Sequence, residues 1–331
     1  MLFAQNSIEN VPDSTLRIAY SAREISALSV TNTYGKINYT GNLKDSIIIE
    51  VIIKLENTEE DFTEIYNMIN INSSVNKKTL ELMTIFTDQF SSSNAFSVIY
   101  NIKGPKGLTL FINSQYCDIV INESGNVDGT INYGNITITK PIEKLKLDLK
   151  NGFANLSKTG IVNIKLSNSH LVMAETESME LNADFSNINI KKAGMLKVKC
   201  NTCELSLSEI RDISITSNLC FVKIDVLSEN GYFEMGNGTL SINKTLHTLK
   251  NISASVNKTP VNIKMPFSFS YAIHGEIYNG KLYHPQHEKI RYLVEDESIS
   301  FSGLIGNESS ETTTPIILFS NGADIIIEHI E

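Results

Sequence analysis

Apolar residues occupy the middle of this chain in pairs set two apart, and the pairs return every 17 or 18 residues. The first member reads Ile136, Ala154, Leu171, Ile188, Leu205, Val222, Leu240 and Val261. The second reads Ile138, Leu156, Met173, Ile190, Leu207, Ile224, Ile242 and Ile263. Only the last step stretches, to 21 residues. The residue between the members is mostly polar, as at Thr137, Asn155, Asn189, Ser206, Lys223 and Asn262. Alternation with a period of two is the pattern of a strand with one buried face. A second short strand precedes many of the pairs: LKLDLK carries Leu145, Leu147 and Leu149, VNIKLS carries Val162, Ile164 and Leu166, and LKVKC carries Val198 and Cys200. SQYCDIVI adds an earlier copy at Ile119 and Ile121. Two outliers match as well, NTYGKINY with Ile37 and Tyr39 and SNGADIII with Ile325 and Ile327.

A unit of 17 residues with two short strands cannot bury its own apolar side chains. Copies stacked along an axis bury them in one continuous core. The pattern therefore predicts an all-β chain folded as a parallel β-helix, or solenoid, with rungs of 17–18 residues. Nine contiguous copies at a strand spacing of about 4.8 Å would build a rod ~40 Å long. A β-sandwich would not hold register to one residue over seven successive steps. A left-handed hexapeptide coil needs an apolar residue every six positions, whereas here the spacing is two and then five.

Solenoid ends expose unpaired strands and need caps. DSIIIEVIIKLE reads as a strand, and TEEDFTEIYNMI as a helix capped by Thr58 with Asp61 three residues on. Phe62, Ile65, Tyr66 and Ile69 fall on one face of that helix. Further strands are predicted near 79–87 and 96–103. The expected organisation is a tail or export-signal remnant at 1–24, and N-terminal strands with a capping helix, a small α/β cap, at 25–107. The β-helix repeats follow at 108–263, then a C-terminal cap and final rung at 264–331.

Two positions before the first member of each pair the residue is always small: Gly35, Cys117, Gly134, Gly152, Ser169, Ser186, Cys203, Cys220, Gly238, Thr259 and Ala323. A tight corner fits this column, and Ser, Cys and Thr point to size as the requirement more than to a glycine backbone. CNTCELSL then has a structural explanation beside its metal or redox one: Cys203 is a corner residue and Cys200 an inward residue of the preceding strand. No second pair or His completes a metal site. Cys203 and Cys220 share a column in adjacent copies, with Cα atoms expected about 5 Å apart, within reach of a disulfide if the protein is exported.

Among the 331 residues, 41% are hydrophobic and 20% charged, a composition that folds. A net charge of −9 and only four arginines (Arg17, Arg23, Arg211, Arg291) argue against nucleic-acid partners. No apolar run is long enough to cross a bilayer as a helix. MLFAQNS reads either as the remnant of an export signal cut after Ala4 or as an ordinary chain terminus.

In its order of motifs the chain resembles the bacterial putative-adhesin family of β-strand-repeat exported proteins. The carriers are SVTNTYGKINYTG, DSIIIEVIIKLE and a short acidic helix, then the SQYCDIVI and INYGNITI repeats, FSGLIGN, and the closing ILFSNGADIIIEHI. The resemblance implies a right-handed coil and an exported location: periplasm, outer-membrane surface or extracellular. It brings no catalytic residues. Cys117 stands where the family's Tyr-Gly pair would place Gly, and the later repeats lose that pair.

Two functional readings follow. One is a non-enzymatic envelope protein, adhesin-like or a scaffold, with a glycan or protein ligand at the cell surface. The alternative is a carbohydrate-active β-helix enzyme, a polysaccharide lyase or glycoside hydrolase. A hydrolase needs two facing carboxylates, and a lyase needs a base beside a cation-binding acidic cluster. Asp118 and Glu204 share an outward column but lie five copies apart, roughly 24 Å along a rod. Tyr34, Tyr116, Tyr133 and Phe185 share another column, suited either to stacking on sugars or to covering a corner. His284-Pro285-Gln286-His287 lies in a loop with no third ligand nearby in sequence, and His170 faces outward. The sequence therefore supplies no catalytic residue, no metal site and no cofactor.

Overall fold

The structure, a computed structural model, describes residues 13–55, 62–91, 95–285, 289–306 and 313–331. The chain before residue 13, the capping residues Thr58 and Asp61, and His287 lie outside them. The described chain is all-β with one short helix, Phe62–Asn67. It divides into two compact units, Met1–Ile164 and Lys165–Glu331.

In the second unit, parallel strands repeat one register. Leu171 lies beside Ile188, Ile188 beside Leu205, and Leu205 beside Val222. The column continues through Leu240 and Val261 to Ile325. All seven side chains are buried, none more than 2% exposed. The next inward column runs Met173, Ile190, Leu207, Ile224, Ile242, Ile263 and Ile327. The residues between, such as Asn189, Ser206 and Lys223, pair with one another in the same register. One offset serves every tier because each tier buries its apolar pair on the tier beside it.

The last tier in sequence is not the last in space. Thr314–Asn321 pairs in parallel with Asn251–Asn257 on one edge and with Tyr271–Tyr278 on the other. Ile325–Ile330 likewise lies between Val261–Pro266 and the short strand Leu282–Tyr283. The chain therefore builds an outer tier at 271–283 first and then slides 314–330 in between. Residues 264–315, expected as a cap ahead of the closing strands, contribute that outer tier. They also supply the antiparallel strands Ser298–Ile305 and Ile290–Glu295 beyond it.

The first unit repeats the device. Ile37 and Tyr39 of the strand Ala27–Leu43 sit beside Ile119 and Ile121, which sit beside Ile136 and Ile138, then Ala154 and Leu156. The other edge of Ala27–Leu43 is taken by Thr79–Phe86 and Phe96–Pro105, strands later in the chain. Ser46–Leu55 then pairs antiparallel with both Phe96–Pro105 and Asp13–Ser21. Residues 13–21, expected as tail, are thus a full strand. The helix ends at Asn67, so Ile69 belongs to the following strand, Ile69–Asn76. Ile65 is buried, whereas Tyr66 is exposed.

A buried polar knot crosses the core of the first unit. Asn32 Nδ2 donates to the Val98 carbonyl at 2.9 Å, and Thr84 Oγ1 donates to Asn32 Oδ1 at 2.8 Å. The Thr84 hydroxyl has one proton, so the Tyr100 hydroxyl at 2.8 Å donates to it. Burial pushes the Tyr100 phenol up to about 12; the bond to Thr84 pulls it down and the Cys117 thiol adds to the rise. Burial also raises Tyr39 and Tyr271. The folded state therefore favours the neutral phenols. This stabilisation is whole below the unfolded pKa near 10 and is lost as pH rises through the folded value. Denaturant titrations at pH 9 and pH 12 are expected to differ by roughly 2 kcal/mol from Tyr100 alone. A midpoint unchanged across that window would contradict the burial.

Candidate functional site

The corner column is where backbone geometry, side-chain chemistry and exposure meet. In all eleven copies the residue with a left-handed backbone is the one before the small residue. Its φ is 62° at Tyr34, 55° at Tyr116, 54° at Tyr133, 50° at Phe185, 54° at Thr202, 55° at Leu219 and 53° at Asn237. Asn151, Asn168, Lys258 and Gly322 share the conformation. The small residue does a different job. Ser169 Oγ donates to the Ser167 carbonyl at 2.8 Å, Ser186 Oγ to Asp184 at 2.7 Å, and Thr259 Oγ1 to Asn257 at 2.9 Å. Cys117, Cys203 and Cys220 make the same bond with sulfur, each at 3.3 Å. The hydroxyl also accepts from the tier below: Ser169 N–H donates to Ser186 Oγ and Gly238 N–H to Thr259 Oγ1. Ser, Cys and Thr are selected as small donors, not for size alone.

A left-handed backbone costs an ordinary residue about 1 kcal/mol or more, most for a β-branched one, and Asn least. Thr202 is exposed, and Asn already holds the equivalent place at 151, 168 and 237. Thr202→Asn is expected to raise stability by about 1 kcal/mol, read as a rise in thermal midpoint. A fall would contradict the left-handed assignment.

The four cysteines are free and buried. Cys203 and Cys220, which share a column, are separate thiols in this structure. Corner geometry turns each thiol toward the carbonyl two residues back, and Cys220 meets a different sulfur, Cys200 Sγ, at 3.2 Å. Cys203 also reaches the Ala183 carbonyl at 3.4 Å. Thiol hydrogen bonds with Cys203 and Cys220, together with burial, push Cys200 up. Burial pushes Cys117 up to about 12. Among the described residues no group of three His, Cys, Asp or Glu side chains is placed to hold a metal. A corner cysteine is thus a serine with sulfur. Cys203→Ser is expected to stay within about 1 kcal/mol of the parent, whereas Cys203→Val, which has no donor, loses about 2 kcal/mol. Equal loss in chemical denaturation would contradict this.

In the first unit the left-handed residues form an aromatic stack. Tyr34 and Tyr116 lie 5.1 Å apart with planes 4° from parallel, and Tyr116 and Tyr133 lie 5.0 Å apart at 18°. Phe96 and Phe86 meet Tyr34 edge-on at 5.4 and 6.3 Å, and Phe90 packs on both. Sugar stacking needs an open ring face. Here the facing rings of Tyr34, Tyr116 and Tyr133 cover one another, although each tyrosine remains 41–51% exposed. The stack clasps the corner.

Several outward acids have partners beside them. Lys197 pairs with Glu180 at 3.8 Å and Lys192 with Glu209 at 3.9 Å, both across adjacent tiers. Lys146 reaches Asp128 at 2.9 Å. Asparagine does the same for others: Asn135 to Asp118 at 2.8 Å, Asn187 to Glu204 at 3.3 Å and Asn230 to Asp212 at 2.7 Å. Burial alone would raise Asp212, yet Arg211 and Asn230 hold it below the usual carboxylate value. That is the wrong direction for a general acid. The His284 ring stacks on Tyr292 at 5.9 Å and bonds the tyrosine hydroxyl. A cleft of about 220 Å³ in the first unit is lined by Ser14, Leu16, Val51, Ile53, Tyr66 and Ile69–Ile71. It is smaller than most small-molecule sites. No described helix is long and apolar enough to cross a membrane.

No family model matches the chain, and no curated protein matches it in sequence. Solved structures similar to it over nearly the whole length include a putative adhesin from Parabacteroides merdae, 11% identical with a TM-score of 0.43, covering 97% of this chain and 98% of that one. A putative adhesin from Parabacteroides distasonis is 11% identical with a TM-score of 0.43, covering 95% and 97%. A putative lipid binding protein from the same species is 14% identical with a TM-score of 0.32, covering 97% and 98%. Scores this low carry no functional inference.

Proposed function

We propose that this chain is a non-enzymatic protein of the cell envelope, an exported adhesin-like or scaffolding module. Its tiers form a right-handed parallel β-helix, with residues 108–263 as the repeats and 25–107 and 264–331 as the ends. The observation that carries the reading is the filling of the outward columns. Acids named above stand against lysine or asparagine in the neighbouring tier, which makes a polar surface of paired side chains. A hydrolase would set two carboxylates against each other across a bond, with the acid's pKa raised.

Such a surface suits a glycan or a protein ligand at the cell surface and is ill suited to nucleic acid, given the net charge of −9. The test is a panel of polysaccharides and a glycan and protein array, all probed with the purified chain. Retention of a glycan or protein with no product release is expected. Release of oligosaccharide by the wild-type chain would replace this reading with the carbohydrate-active one. Fractionation of cells carrying the whole gene is expected to place the protein in the envelope or medium, and recovery from the cytoplasm alone would contradict export.

A further inference from the structure

The strand Ile290–Glu295 is the outermost element at one end of the second unit. It pairs antiparallel with Ser298–Ile305, Tyr292 opposite Phe301 and Val294 opposite Ile299. Ser298–Ile305 is in turn paired to Tyr271–Tyr278, so its second edge is taken. Among the described residues, no strand pairs with the other edge of Ile290–Glu295. Both faces of this strand also meet solvent: Tyr292 is 48% exposed, Leu293 60% and Val294 70%. Natural edge strands are usually blunted by Lys, Pro or a bulge. IRYLVE has no Lys, Pro or bulge, its two charges Arg291 and Glu295 are of opposite sign, and its register with Ser298–Ile305 runs unbroken. Two contacts hold it in place. His284 stacks on Tyr292, and Gly303 lies so close to Ile290 that a Cβ there would stand 2.6 Å from the Ile290 Cα.

The charges on this edge are self-complementary. In an antiparallel pair of two such strands centred on Leu293, Arg291 stands opposite Glu295 of the partner subunit, and Glu295 opposite the partner's Arg291. Tyr292 then faces the partner's Val294, and the two Leu293 side chains meet at the two-fold axis. Directly opposed unlike charges and aromatic–β-branched pairs are the favourable cross-strand neighbours. A two-fold interface requires this kind of self-matching patch.

We propose that Ile290–Glu295 is a self-association edge: two copies of this chain join there by antiparallel strand addition, in the register that pairs Arg291 with the partner's Glu295. Two six-residue strands bury far less than the ~1,600 Å² of a standard interface, so the dimer is weak, with a dissociation constant of about 10 µM or above.

Sedimentation velocity on the full chain from about 5 to about 500 µM tests it. A concentration-dependent shift from monomer to dimer is expected. Glu295→Arg sets arginines against each other and is expected to weaken association at least about tenfold; Arg291→Glu does the same with acids. The double change Arg291→Glu with Glu295→Arg restores the pairing and is expected to recover the dimer. Circular dichroism of each variant confirms that the exposed substitutions leave the fold intact. A chain monomeric throughout the range would overturn the proposal. So would a dimer indifferent to the single reversals, or a double variant no better than the singles. A dimer of the last two kinds would belong to another surface.

Discussion

Leu205→Asp is expected to abolish folding, while Ser206→Asp, one residue away, is expected to change stability by no more than about 0.5 kcal/mol. Leu205 is fully buried between Ile188 and Val222. A carboxylate there has no partner, and an unpaired buried charge costs at least about 4 kcal/mol, much of the net stability of a domain. Ser206 points the other way in the same register and sits beside Lys223, so an added acid there meets a cation. Expression, solubility and denaturant midpoints of the two variants form the check. Equal tolerance at both positions, or equal damage, would mean that the inward and outward columns are not those described.

The second large effect is expected at Gly238. A Cβ added there would lie 2.0 Å from the Cys220 carbonyl oxygen, and this neighbour is backbone that cannot rotate away. Gly238→Val is expected to cost about 3 kcal/mol or more, because the corner must open or the tier must shift. Gly107, where an added Cβ meets nothing within 4 Å, is the control, and Gly107→Val is expected to stay within about 1 kcal/mol. The contrast separates crowding between tiers from the general loss of a glycine. Similar midpoints for the two variants would contradict the close approach of adjacent corners.

Much of the stacking was legible in the sequence because it uses one offset. Leu171, Ile188, Leu205 and Val222 fall in one column in the chain and one column in space. Insertion of tiers within each unit was not legible. Ile37 pairs with Ile119, and Val261 with Ile325, across long stretches whose own strands obey no 17-residue rule. Periodicity shows which residues are equivalent, but it carries no order for tiers that the chain builds out of turn.

The corner was half legible. The small column is plain, but the left-handed residue lies one earlier, where Tyr, Phe, Thr, Leu, Lys and Asn all occur. Only Asn151, Asn168, Asn237 and Gly322 hinted at it. The bond to the carbonyl two residues back was readable in principle, since Ser, Thr and Cys share a donor that Ala and Gly lack. The cysteine column gave proximity without direction: each sulfur in the structure follows the corner bond to the carbonyl two residues back. The edge strand Ile290–Glu295 lies where the repeat fails, so no buried periodicity marks it.

The measurement that bears most directly on the stacking is the set of backbone amide contacts around Leu205 and Val222, read by nuclear Overhauser effects on labelled protein. The structure requires contacts that step by 17 residues in parallel order, from 188 to 205 to 222, with 190, 207 and 224 beside them. Contacts in which one residue number rises as its partner's falls, or no contact between Leu205 and Val222, would contradict the stacked tiers.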